Sequence, residues 1–474
     1  MRVLLLQPNY DVHVVHPPLG FGYLASYLIK KDHEVSIFDG TLKNASLSDY
    51  LAKISEFKPE LIGISVLTRG HNLTKEMVKA IKQKFKRIPI VIGGTQLTAA
   101  PKEVMHDLKP DFGVIGEGEE TLLELVEELE KDKKDFSRIK GLSFISDRGI
   151  TVNKPRSLIA DLDSLPFPAW GLMPPKDYRI APILEPAKGL PIAPIMTSRG
   201  CPFNCSFCAS NITWKRKLRF RSVENVMSEI KMLKEKFGIK EFHFCDDNFT
   251  MDIKRAEKIC DFLIKEKINL PWQCPNGVRI DRLTLPLLKK MKKSGCYSVG
   301  LGIVSGNQNI LNKVQKQLDL KIVPNVLKML KKTKIESYGF FILGLPGETK
   351  KTVHDTINFA LNNNFDRVWF NIFTPYPGSQ AFSDWLGKRK FSEIDWEKHD
   401  CSTAVMAGKD LSIKEIEKMQ KIATRKFYLR PKNFIKFVGH LGPKEITTLL
   451  MSRFFSKIAK PLFLMTHRLV RRKE

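Results

Sequence analysis

Short apolar runs alternate with segments of helical period along the first 135 residues. Strands are expected at 2–6, 34–39, 61–65, 88–92 and 112–115, with helices at 23–31, 74–85 and 119–131 between them. Apolar strands alternating with helices predict an α/β domain at 1–135, a doubly wound, Rossmann-like parallel sheet. The alternation stops across 136–191, where Leu165-Pro166-Phe167-Pro168 and Met173-Pro174-Pro175 mark a connector. Prolines at that density break regular structure and stiffen the chain. From Ile192 the alternation resumes, with six strands at 192–198, 241–246, 272–278, 297–303, 337–343 and 367–373 and helices such as 223–237 and 351–362. That order predicts a partial (β/α)6 barrel over 192–380 and leaves 381–474 as a basic, helical C-terminal extension. In both architectures the chemistry is expected at the carboxyl ends of the strands.

Composition narrows the class. A chain of 474 residues suggests three domains at ~150 residues each. An apolar fraction of 43% and a charged fraction of 27% fit a globular protein with ample core. No stretch approaches the ~18 consecutive apolar residues of a membrane span. Met1-Arg2-Val3-Leu4-Leu5-Leu6-Gln7-Pro8 is too short for a signal-peptide core and reads as a buried first strand. The reducing cytoplasm is therefore the expected compartment. The net charge of +27 fits nucleic acid, an anionic membrane or acidic substrates, but lysine is spread through most predicted helices, as on a solvated basic face.

Chemistry concentrates in Cys201-Pro202-Phe203-Asn204-Cys205-Ser206-Phe207-Cys208, a C-x3-C-x2-C run after the first barrel strand. Three thiolates that close hold three corners of a four-iron, four-sulfur cluster. The fourth iron is then open to chelation by the amino and carboxylate groups of S-adenosylmethionine (SAM). A structural zinc site needs four ligands. The nearest further candidates, His243 and Cys245, lie a helix and a strand away. Eight cysteines in a chain this long do not suggest a disulfide framework. Cys245, Cys260, Cys274, Cys296 and Cys401 carry no motif and read as buried thiols, with Cys401 beyond the barrel an outside candidate for an acid or radical quencher.

With these residues the chain resembles the radical SAM proteins that carry a cobalamin-binding domain ahead of the barrel. Besides the triplet, the likeness rests on Gly344-Leu345-Pro346-Gly347-Glu348 after strand five and on Tyr376-Pro377-Gly378 after strand six. In the first domain it rests on Pro17-Pro18-Leu19-Gly20-Phe21-Gly22-Tyr23, Val91-Ile92-Gly93-Gly94 and Gly116-Glu117-Gly118-Glu119. The resemblance implies Cys201, Cys205 and Cys208 as cluster ligands. It implies SAM contacts at Phe207, Asp246, Asp247, Ser305, Ile342, Gly344, Gly347 and Glu348, with one of the two aspartates receiving the methionine ammonium. For cobalamin it implies Gln7, Pro8, Leu19, Gly20, Ser65, Gly93, Gly94, Thr95, Gly116, Glu117 and Gly118.

Four departures stand out. Val304 occupies the glutamate position of G-x-E-S-G, and Phe340 the first glycine of G-x-I-x-G-x-x-G-E. Gly93-Gly94-Thr95-Gln96 stands where the family often has Gly-Gly-Pro-His. There is no D-x-H-x-x-G, and His13 and His16 lack its spacing, so cobalt is expected to lack a histidine below it.

By resemblance, the expected activity is cobalamin-dependent methylation of an unactivated carbon through a 5′-deoxyadenosyl radical, with ring formation or oxidation as the alternative. A cofactor-binding redox sensor ranks lower. A methylthiotransferase acting on tRNA would need three more cysteines near the N-terminus, and none precedes Cys201, so no nucleic acid is expected. The basic run Lys215-Arg216-Lys217-Leu218-Arg219-Phe220-Arg221 suits a solvated loop, a phosphate or an acidic electron donor such as flavodoxin or ferredoxin. In 444–474 basic residues interleave with apolar ones at helical spacing. That suits an interfacial helix on the inner face of an anionic membrane, or equally a helix packed on the barrel. The first alternative makes a lipid or isoprenoid substrate attractive.

Overall fold

The computed structural model describes residues 1–10, 15–147, 149–178, 187–431 and 433. In the first sheet, Arg2–Gln7 lies between Glu34–Asp39 and Leu61–Ser65, and Ile90–Gly93 and Phe112–Val114 continue the parallel array. Side chains alternate across a strand, so Val3 and Leu5 enter one core while Leu4 and Leu6 enter the other. Both faces are buried, as the consecutive apolar residues required. The first helix, Leu19–Ile29, starts earlier than its apolar period suggested, directly after Pro18, and a proline's fixed φ suits a helix start.

Residues 142–152, assigned by their sequence to the connector, form a hairpin of Leu142–Ser146 and Gly149–Val152 that joins the sheet antiparallel beside Phe112–Val114. Only part of this hairpin is buried, and Ile145 is exposed. A strand half open to solvent gave no continuous apolar run. The described part of the proline-rich remainder touches both domains. Ala169 donates its N–H to Gly22 O, Ser222 N–H donates to Asp163, and buried Trp170 donates Nε1–H to Glu229 at 3.0 Å.

The six barrel strands are Ile192–Ile195, Glu241–Phe244, Trp272–Val278, Cys296–Val304, Glu336–Leu343 and Arg367–Ile372, paired parallel in chain order. The first is shorter than expected. Ser198–Arg199 leaves the barrel and pairs antiparallel with Arg219–Phe220, which closes the base of the loop carrying the three cysteines. The third and fourth strands slip register near their carboxyl ends, between Cys274 and Val278 and between Gly302 and Val304. Such bulges re-aim side chains toward a site. Val304 holds φ at +75°, a region β-branched residues rarely enter. Beyond the barrel, Ile413–Tyr428 packs on the last strand, where Tyr428 donates its hydroxyl to Val368 O at 2.8 Å. Residues 432 and 434–474 of the extension, 444–474 included, lie outside the described residues, as does His13.

Candidate active site

The cysteine loop covers the carboxyl end of the barrel. Cys201, Cys205 and Cys208, all half-buried, line a cavity of about 480 Å³ together with Phe207, Asp247, Asn276, Gly277, Arg279, Gly302 and Lys316. Among the described residues, no three His, Cys, Asp or Glu side chains converge as a single metal ion would require. The three thiols bordering one open cavity suit a larger body such as an iron–sulfur cluster. Burial pushes the Cys201 and Cys205 thiols up, while Lys316 and Arg279 pull Cys205 back toward the thiolate. Arg279 is fixed there, stacked 3.9 Å above the Phe203 ring and donating to the carbonyls of Lys316 and Gln317. Lys316 has its ammonium pKa lowered by burial, against the pull of the cysteines. Neither cation was signalled by a motif. Arg279 directly follows the strand whose Pro275-Asn276-Gly277 slips register, and Lys316 lies on a distant segment.

The two acids expected to meet the methionine ammonium separate by role. Asp246 is buried, and its oxygens accept from Thr197 N–H at 2.6 Å, Thr197 Oγ1, Ser198 N–H and Ser198 Oγ. It ties the second barrel strand to the segment leading into the cysteine loop. Asp247 instead lines the cavity, and its carboxyl is pushed up to about 6 by burial and by neighbouring Asp246.

At the end of strand five, Glu348 accepts from Gly344 N–H at 2.6 Å and Leu345 N–H at 3.1 Å. It is fully buried, its Oε1 has no hydrogen-bond partner, and burial raises its pKa to about 7. Gly344 and Gly347 hold φ at +85° and +84°, as the turn demands. Glu348 therefore shapes this turn from beneath. Ser305 bonds Thr356 Oγ1 at 2.9 Å, and neither Ser305 nor Ile342 lines the cluster cavity.

A second cavity, about 620 Å³, opens between the barrel mouth and the first sheet. Gly94, Thr95, Thr98 and Gly116 form one wall, and Ser210, Trp214, Asp247, Tyr376 and His399 form the other. Gly94 holds φ at +109°, and a Cβ there would sit 2.8 Å from Val66 O; a Cβ on Gly116 would point into open space. A backbone wall of this kind fits a broad, flat cofactor such as cobalamin. Of the residues expected to hold cobalamin, Gly94, Thr95 and Gly116 line this cavity. Gln7, Pro8, Leu19, Gly20, Ser65, Gly93, Glu117 and Gly118 line neither cavity. The carbonyls of Gln7, Pro8 and Ser65 instead receive Tyr50, Thr41 and Tyr10 hydroxyls. Glu117 pairs with Arg199 and Arg219 of the barrel domain. The basic run is thus partly internal: Arg219 and Arg221 are committed to Glu117 and Glu229, while Lys215, Arg216 and Lys217 remain exposed.

The residues of the C-terminal extension on the second wall had no sequence signal. His399 is buried, its Nδ1 faces Asp395 O at 3.1 Å, and burial lowers its pKa. Cys401 lies behind it, 3.1 Å from the Tyr376 hydroxyl.

Comparison with known proteins agrees with this geometry. The Radical SAM superfamily matches residues 195–360 and the B12 binding domain matches residues 9–126. An uncharacterized methyltransferase of Pyrococcus horikoshii is 34% identical over 443 residues, covering 92% of this chain and 94% of that protein. The anaerobic magnesium-protoporphyrin IX monomethyl ester cyclase of Rubrivivax gelatinosus is 28% identical over 92% of this chain and 79% of its own. The radical SAM methyltransferase TsrM from Kitasatospora setae, solved with cobalamin and a 4Fe-4S cluster, shares the fold at a TM-score of 0.68 and 17% identity, over 94% of this chain and 91% of its own. Two stacked domains, a three-cysteine loop over a barrel mouth and a relative alike along nearly its whole length converge on one conclusion: the chain belongs to the cobalamin-dependent radical SAM methyltransferases.

Proposed function

We propose that this enzyme methylates an unactivated carbon of a small molecule bound where its two cavities meet. The observation that carries the reading is that Ser210 and Asp247 line both cavities, so the cluster side and the cobalamin side share one junction. When bound, the cluster and SAM supply a 5′-deoxyadenosyl radical and cobalamin supplies the methyl group. Cys201, Cys205 and Cys208 hold the cluster, and Arg279 and Lys316 offset the negative charge of the thiolates. Asp247, its pKa at about 6, is ionised at neutral pH and accepts hydrogen bonds from an ammonium or hydroxyl at the junction.

The lipid or isoprenoid reading rests on the 444–474 pattern, as does peripheral membrane contact. Among the described residues no helix is long and apolar enough to cross a membrane. The exposed Lys215, Arg216 and Lys217 suit an acidic electron donor such as flavodoxin or ferredoxin.

The test compares small-molecule and lipid extracts of the host with and without the gene by mass spectrometry. Loss of a species one methylene heavier than an accumulating precursor supports methyl transfer. A pair differing only by hydrogens supports ring formation or oxidation, the second reading, favoured by similarity to the cyclase. Unchanged extracts overturn both.

A further inference from the structure

We propose that Glu117 is a positioning residue that fixes the cluster loop to the cobalamin-facing domain, an inference that rests on the function proposed above. The loop from Gly200 to Leu218 leaves and returns through a two-residue antiparallel pair in which Arg199 stands opposite Arg219. One carboxylate grips both ends of that base: Glu117 Oε1 meets Arg199 Nη1 at 2.6 Å and Oε2 meets Arg219 Nη1 at 2.7 Å. Glu119 takes the other Arg199 nitrogen at 2.6 Å. Trp214, within the loop, lies 5.5 Å from the Arg199 guanidinium and 5.8 Å from that of Arg219, and it also lines the interdomain cavity. Ile159 of the connector adds its N–H to Glu117 Oε2 at 2.9 Å and its carbonyl to Arg219 at 2.5 Å.

The Glu117 side chain is 3% exposed and that of Arg199 5%, so solvent does not screen the pair. Buried ion pairs give little net stability because desolvation offsets their attraction, but they hold geometry, and removing one partner strands the other. The neighbouring Gly116 faces the cavity while the Glu117 side chain turns to the barrel. A single residue thus ties the wall for cobalamin to the base of the cluster loop. Because methyl transfer needs both cofactors in register at one carbon, this strut sets their separation.

The test is pulsed electron paramagnetic resonance on the holoenzyme reduced to cob(II)alamin and the singly reduced cluster, in wild type, Glu117→Gln and Arg219→Gln. A single narrow cobalt–cluster distance is expected in the wild type. It should be lost to a broad distribution in both variants, with iron and cobalamin content unchanged. Arg219→Gln removes one of the two gripped arginines and leaves Glu117 in place, which keeps the experiment decisive if Glu117→Gln fails to fold. An unchanged distance in the variants overturns the proposal. Weakened cobalamin retention in Glu117→Gln, with Arg219→Gln unchanged, overturns it too and makes Glu117 a direct cobalamin contact. A wild type that retains no cobalamin or cluster defeats the functional reading itself, and the strut with it.

Discussion

Glu348→Gln should change the pH dependence of stability in a defined direction. Glu348 is fully buried and receives two backbone N–H groups on one oxygen, while its other oxygen has no hydrogen-bond partner. Burial raises its pKa from 4.5 to about 7 in the folded protein. Below 4.5 the carboxyl is protonated whether folded or unfolded, and the shift has no effect on stability. Between 4.5 and 7 the folded state binds the proton more tightly, so stability falls as pH rises and levels off above 7. That interval, at ~1.4 kcal/mol per pH unit, amounts to about 3 kcal/mol.

Glutamine keeps one oxygen for Gly344 and Leu345, and its unpartnered buried amide, like the protonated carboxyl it replaces, makes a contribution that does not change with pH. The stability of wild type relative to the variant should therefore fall by about 2.5 kcal/mol between pH 5 and pH 8. Urea midpoints of apo wild type and variant at matched pH measure the difference, with other titrating groups cancelling. A difference constant from pH 5 to 8, or one growing in favour of wild type, refutes the reasoning.

Alanine at Cys201, Cys205 or Cys208 should abolish iron retention after anaerobic reconstitution, with little change in apo thermal midpoint, because the thiols border a cavity; iron analysis beside a melting curve decides it. Asp246→Asn turns an amide NH₂ toward Thr197 and Ser198 donors and should cost about 1–3 kcal/mol in urea, a shift under ~0.5 kcal/mol counting against it. Trp170→Ala should cost about 3–5 kcal/mol, since a fully buried indole and its bond to Glu229 are lost together. Gly22→Ala would bring a Cβ against Met173 and within 2.8 Å of Pro168 Cβ, and should cost about 1–3 kcal/mol; an unchanged melting temperature would mean the connector is loosely seated.

The two sheets were legible because consecutive apolar residues such as Leu4-Leu5-Leu6 have one physical solution, a strand covered on both faces. The hairpin at 142–152 was not, because its partial exposure leaves no such run. That the three cysteines border one cavity was legible because three thiols within eight residues are placed by local chain geometry alone. Asp246 and Asp247 were not separable, since adjacent residues in an extended segment point opposite ways and sequence does not say which faces the cavity. Glu117 read as part of a glycine loop, and only the packing of the domains joined it to arginines 82 and 102 positions away.

The sequence by itself determined the two α/β domains, the cysteine triad and hence the class of chemistry, because apolar periodicity and short-range spacing are encoded locally. Only the packing of distant segments decided which polar groups face the two cavities. Lys316, Arg279 and His399 reach the cavities from segments distant in the chain. Meanwhile Asp246, Glu117 and Glu348 turn inward to satisfy buried donors. A buried polar group must find its partner wherever folding places one, and no local pattern records that outcome.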